Sequence, residues 1–156
     1  MAISAIINDR LKLKKLRLHT QQNMSPEEQK TSSADAGKAI LIVEDEKPLS
    51  HALKLKLSHE GYEVVIAGDG EEGIAQTSLK QFDLILIDII MPKMDGFTML
   101  SKLKESGNTT TVIVLSNLGQ EEDIVKAKEL GVKDYMVKSN TPISKIVEVV
   151  NAILKT

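Results

Sequence analysis

Leu84-Ile85-Leu86-Ile87-Asp88, four apolar residues without alternation followed by an acid, is the stretch on which the fold turns. A strand with one face in water alternates polar and apolar side chains; a solid apolar run belongs to a strand covered on both faces, the environment of a parallel sheet between two helical layers. Four more such runs stand outward from it: Ile40-Leu41-Ile42-Val43 and Val64-Val65-Ile66 before, Val112-Ile113-Val114-Leu115 and Tyr135-Met136-Val137 after. Their starts at 40, 64, 84, 112 and 135 leave spacings of 24, 20, 28 and 23 residues, each enough for one strand and one crossover helix. Helical period is clear in three of the gaps: Leu49, Ala52, Leu53 and Leu57; Phe97, Leu100 and Leu103; and Ile143, Ile146, Val147, Val150, Ile153 and Leu154, where Thr141 can cap and Pro142 suits the first turn. Gly61, Asp69-Gly70, Asp95-Gly96, Gly107 and Gly131 punctuate the joints. The expected fold is α/β: a doubly wound five-stranded parallel sheet of order 2-1-3-4-5, with helices on both faces.

At 156 residues, 42% hydrophobic and 27% charged, the chain suits one domain of ordinary composition. Twenty Lys and Arg against 22 Asp and Glu supply no basic field, so direct nucleic-acid binding is not expected. The absence of cysteine excludes disulfides, thiolate metal clusters and a cysteine nucleophile. The apolar runs fall far short of the roughly 20 residues of a membrane-spanning helix, so a soluble, cytoplasmic protein is expected. Charge divides the chain: residues 1–36 carry +2 and the remaining 120 carry −4. Gln21 to Lys38, rich in Ser, Gln, Glu and Lys, has little to bury and reads as a tether. Residues 1–35 are therefore expected to be a flexible or disordered extension ahead of a domain at 36–156. For the first twenty residues three readings stay open: an untranslated segment with Met24 as the start, a partner-dependent arm, or a weak basic membrane-surface helix. The bases follow the apolar residues rather than preceding an apolar block, which excludes a secretory signal.

In an open parallel sheet, ligands bind beyond the carboxyl ends of the strands, where strand order reverses. The first strand runs into Glu44-Asp45-Glu46, the third into Asp88, the fourth into Ser116-Asn117 and the fifth into Lys138-Ser139. With order 2-1-3-4-5, Asp45 faces Asp88 across the switch point. Crowded carboxylates repel unless a cation bridges them or one is protonated. Oxygen donors without His or Cys favour a hard ion, and a crevice open to water suits Mg²⁺, which likes a phosphate as co-ligand. Lys138 and the Ser116 hydroxyl complement a phosphoryl group better than a carbonyl substrate. A carboxylate can itself accept a phosphoryl group, and Asp88 is the candidate nucleophile. His51 and His59, eight apart, lack the spacing of a metal pair, and Glu121-Glu122-Asp123 reads as acid at a helix start.

These residues resemble the receiver domains of two-component response regulators, of the single-domain type. The resemblance lies in Ile42-Val43-Glu44-Asp45-Glu46, in the long stretch from Asp83 through Asp88-Ile89-Ile90-Met91-Pro92-Lys93-Met94-Asp95-Gly96, in Val114-Leu115-Ser116, and in Gly131-Val132-Lys133-Asp134-Tyr135-Met136-Val137-Lys138. It covers roughly residues 38–156, and several separate motifs in order make it specific. It implies a flavodoxin-like sheet, Asp88 as phosphoacceptor, Asp45 as direct Mg²⁺ ligand, Glu44 acting through water, and the Ile90 backbone carbonyl completing the metal site. It further implies that Ser116 bonds the phosphoryl oxygens, that Lys138 pairs with them, and that Tyr135 changes rotamer with Ser116. The implied partners are a sensor histidine kinase or a histidine phosphotransfer protein, in a phosphorelay. The implied protein is a phosphoacceptor regulator rather than an enzyme, assisting only its own phosphorylation and dephosphorylation.

Two positions depart from the family pattern. The lysine is ordinarily followed by a cis proline, whereas Ser139 follows here; a cis Lys138–Ser139 bond would cost about 2.5–4 kcal/mol, so a trans bond with a different loop is expected. Asn117 is larger than the residue usual after Ser116. The chain ends at Thr156, directly after the fifth helix, so output is expected through partner binding or onward phosphotransfer rather than an attached domain. Two other classes stand beside this reading. One is a Mg²⁺-dependent phosphatase with an Asp nucleophile, which would need an acid where Ile90 stands. The other is a receiver-like scaffold that is never phosphorylated. Ile90 and Leu118, both apolar, cannot orient a hydrolytic water, which predicts a long-lived phosphorylated state.

Overall fold

The computed structural model describes residues 37–156; the expectations for residues 1–35, including Met24 as a start, lie outside the described residues. Five strands and five α-helices alternate: β1 (Ala39–Val43), α1 (Lys47–His59), β2 (Glu63–Ala67), α2 (Gly70–Leu79), β3 (Leu84–Ile87), α3 (Gly96–Glu105), β4 (Thr111–Ser116), α4 (Glu121–Glu129), β5 (Asp134–Val137) and α5 (Ile143–Leu154). All strand pairs are parallel, in the expected order β2-β1-β3-β4-β5.

The apolar runs bury two faces at once. Along β1, Ile40 and Ile42 point into one layer and Leu41 and Val43 into the other, and β3 and β4 divide in the same way. The first layer is closed by Leu53 and Leu57 of α1 and by Ile146, Val150 and Leu154 of α5. The second is closed by Met99, Leu100 and Leu103 of α3 and Ala127 of α4. The side chains of Ile40, Leu41, Leu84, Ile85, Ile87 and Ile113 are inaccessible to solvent. Each therefore contributes about 1.5–3 kcal/mol relative to exposure.

Helix α2 packs through absence of side chain. A Cβ on Gly73 would lie 2.8 Å from the Met99 sulfur and 3.1 Å from a Val43 methyl, so a larger residue there would have to displace the end of the Met99 side chain. Its start is fixed by Asp69, which accepts from the Glu72 N–H at 2.9 Å, while the Glu72 carboxylate accepts from the Gly68 N–H at 2.7 Å. Such reciprocal capping satisfies donors the helix cannot.

At the entry to α5 the backbone follows the sequence expectation and the capping departs from it. The Lys138–Ser139 bond is trans, and residues Lys138–Asn140 form one 3₁₀ turn. The Thr141 N–H donates to the Lys138 carbonyl that closes this turn, and its hydroxyl donates back to Val137 at 2.8 Å, so it is unavailable as a cap. Pro142 occupies the N-cap position and the helix starts at Ile143. Below the sheet's amino end, Tyr62 donates to Asn151 at 2.7 Å, and Asn151 and Lys155 donate to Glu60 at 2.9 and 2.8 Å, tying the end of α1 to α5. Among the described residues no helix is long and apolar enough to cross a membrane.

Candidate functional site

Parallel register brings the first acids together. Val43 pairs with Ile87, so the residues that follow, Glu44 and Asp88, leave adjacent strands side by side. Their backbones stay anchored there: the Asp88 N–H donates to Val43 at 2.9 Å and the Glu44 N–H to Ala67 at 3.0 Å. Behind Asp88 the chain folds back tightly, with the Gly96 N–H donating to Ile89 at 2.8 Å. A Cβ on Gly96 would stand 2.3 Å from the Asp88 carbonyl oxygen, so glycine is required at that approach. Asp95 then caps α3 through the Thr98 N–H at 2.8 Å.

Lys138, the first residue after β5, reaches past the small Ser116 at the end of β4 and puts its ammonium between the acids. It lies 2.7 Å from Asp88 Oδ2, 2.7 Å from Glu44 Oε2 and 3.2 Å from Glu46 Oε1. Asp88 Oδ1 accepts from the Ile90 N–H at 3.2 Å, and Glu44 Oε1 from the Glu46 N–H at 3.0 Å. The side chains of Glu44, Asp88 and Lys138 are 3, 5 and 9% exposed, against 56% for Glu46. Burial pushes the Glu44 carboxyl up to about 7, and the hydrogen bond from Lys138 does not offset it. One ammonium is shared among three acids. Burial also works against the charge of Lys138, but its bonds to Asp88 and Glu44 outweigh that and hold its pKa above the usual lysine range.

A second group adjoins the first. Ser116 is fully buried, and its hydroxyl accepts from the Leu118 N–H at 3.3 Å. The Tyr135 hydroxyl donates to the Leu118 carbonyl at 2.6 Å, pinning the β4–α4 loop, and burial raises its pKa. Asn117 and Ser139 line a cleft of about 240 Å³ beside Lys138 and Glu46.

The structure thus joins Glu44, Asp88 and Lys138, and sets Ser116 with Tyr135 around Leu118. Asp45 is exposed and outside the group of carboxylates whose oxygens lie within 4.8 Å of one another, which consists of Glu44, Glu46 and Asp88. Ile90 is 57% exposed at the rim. The contact of Glu46 with Lys138 was not among the sequence expectations. β1 ends at Val43 and the chain bends at Asp45 before α1, so no regular period in the sequence marks that contact.

The class the fold and site define is a doubly wound α/β domain with acids and a lysine gathered at the switch point of a parallel sheet. The family model for the response regulator receiver domain matches residues 40–151, and the chain belongs to that family. It is similar to the chemotaxis protein CheY of Treponema pallidum, 39% identical over 121 residues that cover 74% of this chain and 82% of that protein. It is also similar to the transcriptional regulatory protein PcoR of Escherichia coli, 39% identical over 99 residues covering 64% of this chain. The match covers only 44% of PcoR, so the chain spans less than half the length of that regulator. Among solved structures, the response regulator TrrA of Thermotoga maritima in complex with Mg²⁺ and BeF superposes with a TM-score of 0.66 at 28% identity, over 75% of this chain and 99% of that one.

Proposed function

We propose that this receiver domain is a phosphorylation-dependent switch in a two-component phosphorelay, with Asp88 as phosphoacceptor. The observation that carries the reading is the Lys138 ammonium held 2.7 Å from both Asp88 and Glu44 in one crevice. A carboxylate beside a fixed cation has a ready counter-charge for its phosphorylated product. An Asp88 oxygen attacks phosphorus, the P–N bond of a phosphohistidine donor breaks, and its electron pair leaves on the imidazole nitrogen. The donor is a sensor histidine kinase or a histidine phosphotransfer protein. Asp45, Asp88 and the Ile90 carbonyl would hold Mg²⁺, with Glu44 acting through water. The donors are all hard oxygens; Glu44, Glu46 and Asp88 against Lys138 leave negative charge that a divalent ion would balance, and Asp45, outside that group, would turn towards it. When bound, the ion supplies charge neutralisation at the phosphoryl oxygens.

The product carries about two negative charges at Asp88. Lys138 already faces that position, and the Ser116 hydroxyl turns from Leu118 to bond the new oxygens. The Leu118 amide then loses its partner, and Tyr135, bonded to the carbonyl of the same residue, moves with the loop. A change of charge thereby becomes a change of shape at α4, β5 and α5. Output runs through a protein partner or onward phosphotransfer, in the cytoplasm. The test is intact mass after incubation with Mg²⁺ and a small phosphodonor. The parent is expected to gain one phosphoryl group and Asp88→Asn none. Equal masses for both would mark a scaffold that is never phosphorylated.

A further inference from the structure

We infer that Glu46 is a positioning residue for Lys138, holding its ammonium when a divalent cation takes up the charge of Glu44 and Asp88. The inference rests on the metal reading given above. Lys138 is now the counter-ion to both buried acids, at 2.7 Å from each, so an ammonium and a divalent ion compete for the same oxygens. An ammonium displaced from Glu44 with no acid nearby would be left uncompensated in a site where it is 9% exposed. Glu46 removes that difficulty. Its carboxylate stands 3.2 Å from the Lys138 nitrogen, is half in water, and so bears its own charge at little cost. Its position is fixed from behind, because Glu46 is the N-cap residue of α1 and its carbonyl accepts from the Ser50 N–H at 3.0 Å.

The longer contact is the third arm of a handover. Without metal, Lys138 bonds the two buried acids and only leans on Glu46. With metal, the bond to Glu46 shortens while that to Glu44 is given up, and Lys138 remains beside Asp88 for the incoming phosphoryl group. Glu46 therefore strengthens Mg²⁺ binding through Lys138, in addition to any direct attraction between its charge and the ion.

A double-mutant cycle separates the two contributions. Mg²⁺ affinity is measured by calorimetry at pH 8 for the parent, Glu46→Gln, Lys138→Met and the double variant, with Lys138→Gln run as a second, hydrogen-bonding replacement and thermal melts confirming that each chain is folded. Lys138→Met is expected to bind Mg²⁺ more tightly than the parent, its competitor being gone. Glu46→Gln is expected to weaken binding in the parent about threefold more than it does in either Lys138 variant. The same loss in all backgrounds would show that Glu46 acts on the ion directly, as a ligand or a bare charge, and would overturn the handover while leaving the metal reading intact. No Mg²⁺ binding by the parent would sink the metal reading, and the role of Glu46 with it.

Discussion

Two ends of one sheet each join a lysine to a glutamate at short range, and they do so in opposite surroundings. At the carboxyl end, Lys138 meets Glu44 and Asp88 with all three nearly closed to water; at the amino end, Lys155 meets Glu60 at 2.8 Å with half of the lysine side chain and a third of the glutamate exposed. The exposed pair can lose a member to solvent at little cost. The buried group cannot, because water is largely shut out and the backbone N–H groups of Ile90 and Glu46 each serve only one oxygen of an acid. Similar hydrogen bonds thus make a fastening at one end and a strained charge balance, ready to accept a new charge, at the other.

The largest expected difference comes from cutting each lysine. In metal-free protein at pH 8, Lys138→Met leaves two buried acids without their cation and is expected to cost about 3 kcal/mol in denaturant unfolding. Lys155→Met is expected to leave the unfolding midpoint unmoved, and a comparable loss at both ends would end the distinction. Next comes the lifetime of the modified state. Ile90 and Leu118 offer no hydrogen bond to an attacking water, so Ile90→Asn with Leu118→Glu is expected to speed loss of phosphate in Mg²⁺ about tenfold. Decay of the parent at the rate of the double variant would remove these side chains from the account.

A smaller effect follows from Glu44. Its pKa, raised by burial to about 7, lies above the value near 4.5 of an unfolded carboxyl. Below 4.5 both states are protonated and the stabilisation is fully present; it is lost as pH rises through 7. Metal-free protein is therefore expected to melt lower at pH 8 than at pH 5.5, and Glu44→Gln to flatten that slope. Mg²⁺ favours the charged form, so its apparent affinity is expected to rise with pH through 7, with proton release measurable in buffers of different ionisation heat. A profile that is flat in the parent would remove Glu44 as the titrating group.

The same contrast between buried and exposed governs what could be read from sequence. The strands were legible because a solid run such as Leu84–Ile87 has no other use than two-sided burial. Helices α2 and α4 carry no apolar stripe: α2 buries Gly70 and Gly73, and α4 buries only Ala127. Small residues pack by closeness, which leaves no periodic signal. At the site, strand order brought the Glu44-Asp45-Glu46 stretch to Asp88, but the reading set Asp45 opposite it where the register sets Glu44; the strand ends supplied Ser116 and Lys138, and the family motifs supplied Tyr135. The link from Tyr135 to Leu118 ends on a backbone carbonyl, which every residue has and no motif marks. The role given to Thr141 as a cap missed the 3₁₀ turn, since nothing in Lys138-Ser139-Asn140 signals where its hydroxyl finds a carbonyl.

The bond from Tyr135 to Leu118 also gives the molecule a built-in optical reporter. The chain has two tyrosines and no tryptophan, and the two stand at opposite ends of the sheet. Tyr62 is held by Asn151 in the fastening between α1 and α5, whereas Tyr135 is held by the loop that the phosphoryl group would pull. Replacing Tyr62 by Phe leaves an ultraviolet and fluorescence signal from one phenol. Its hydroxyl then reports, without any attached dye, when the β4–α4 loop lets go.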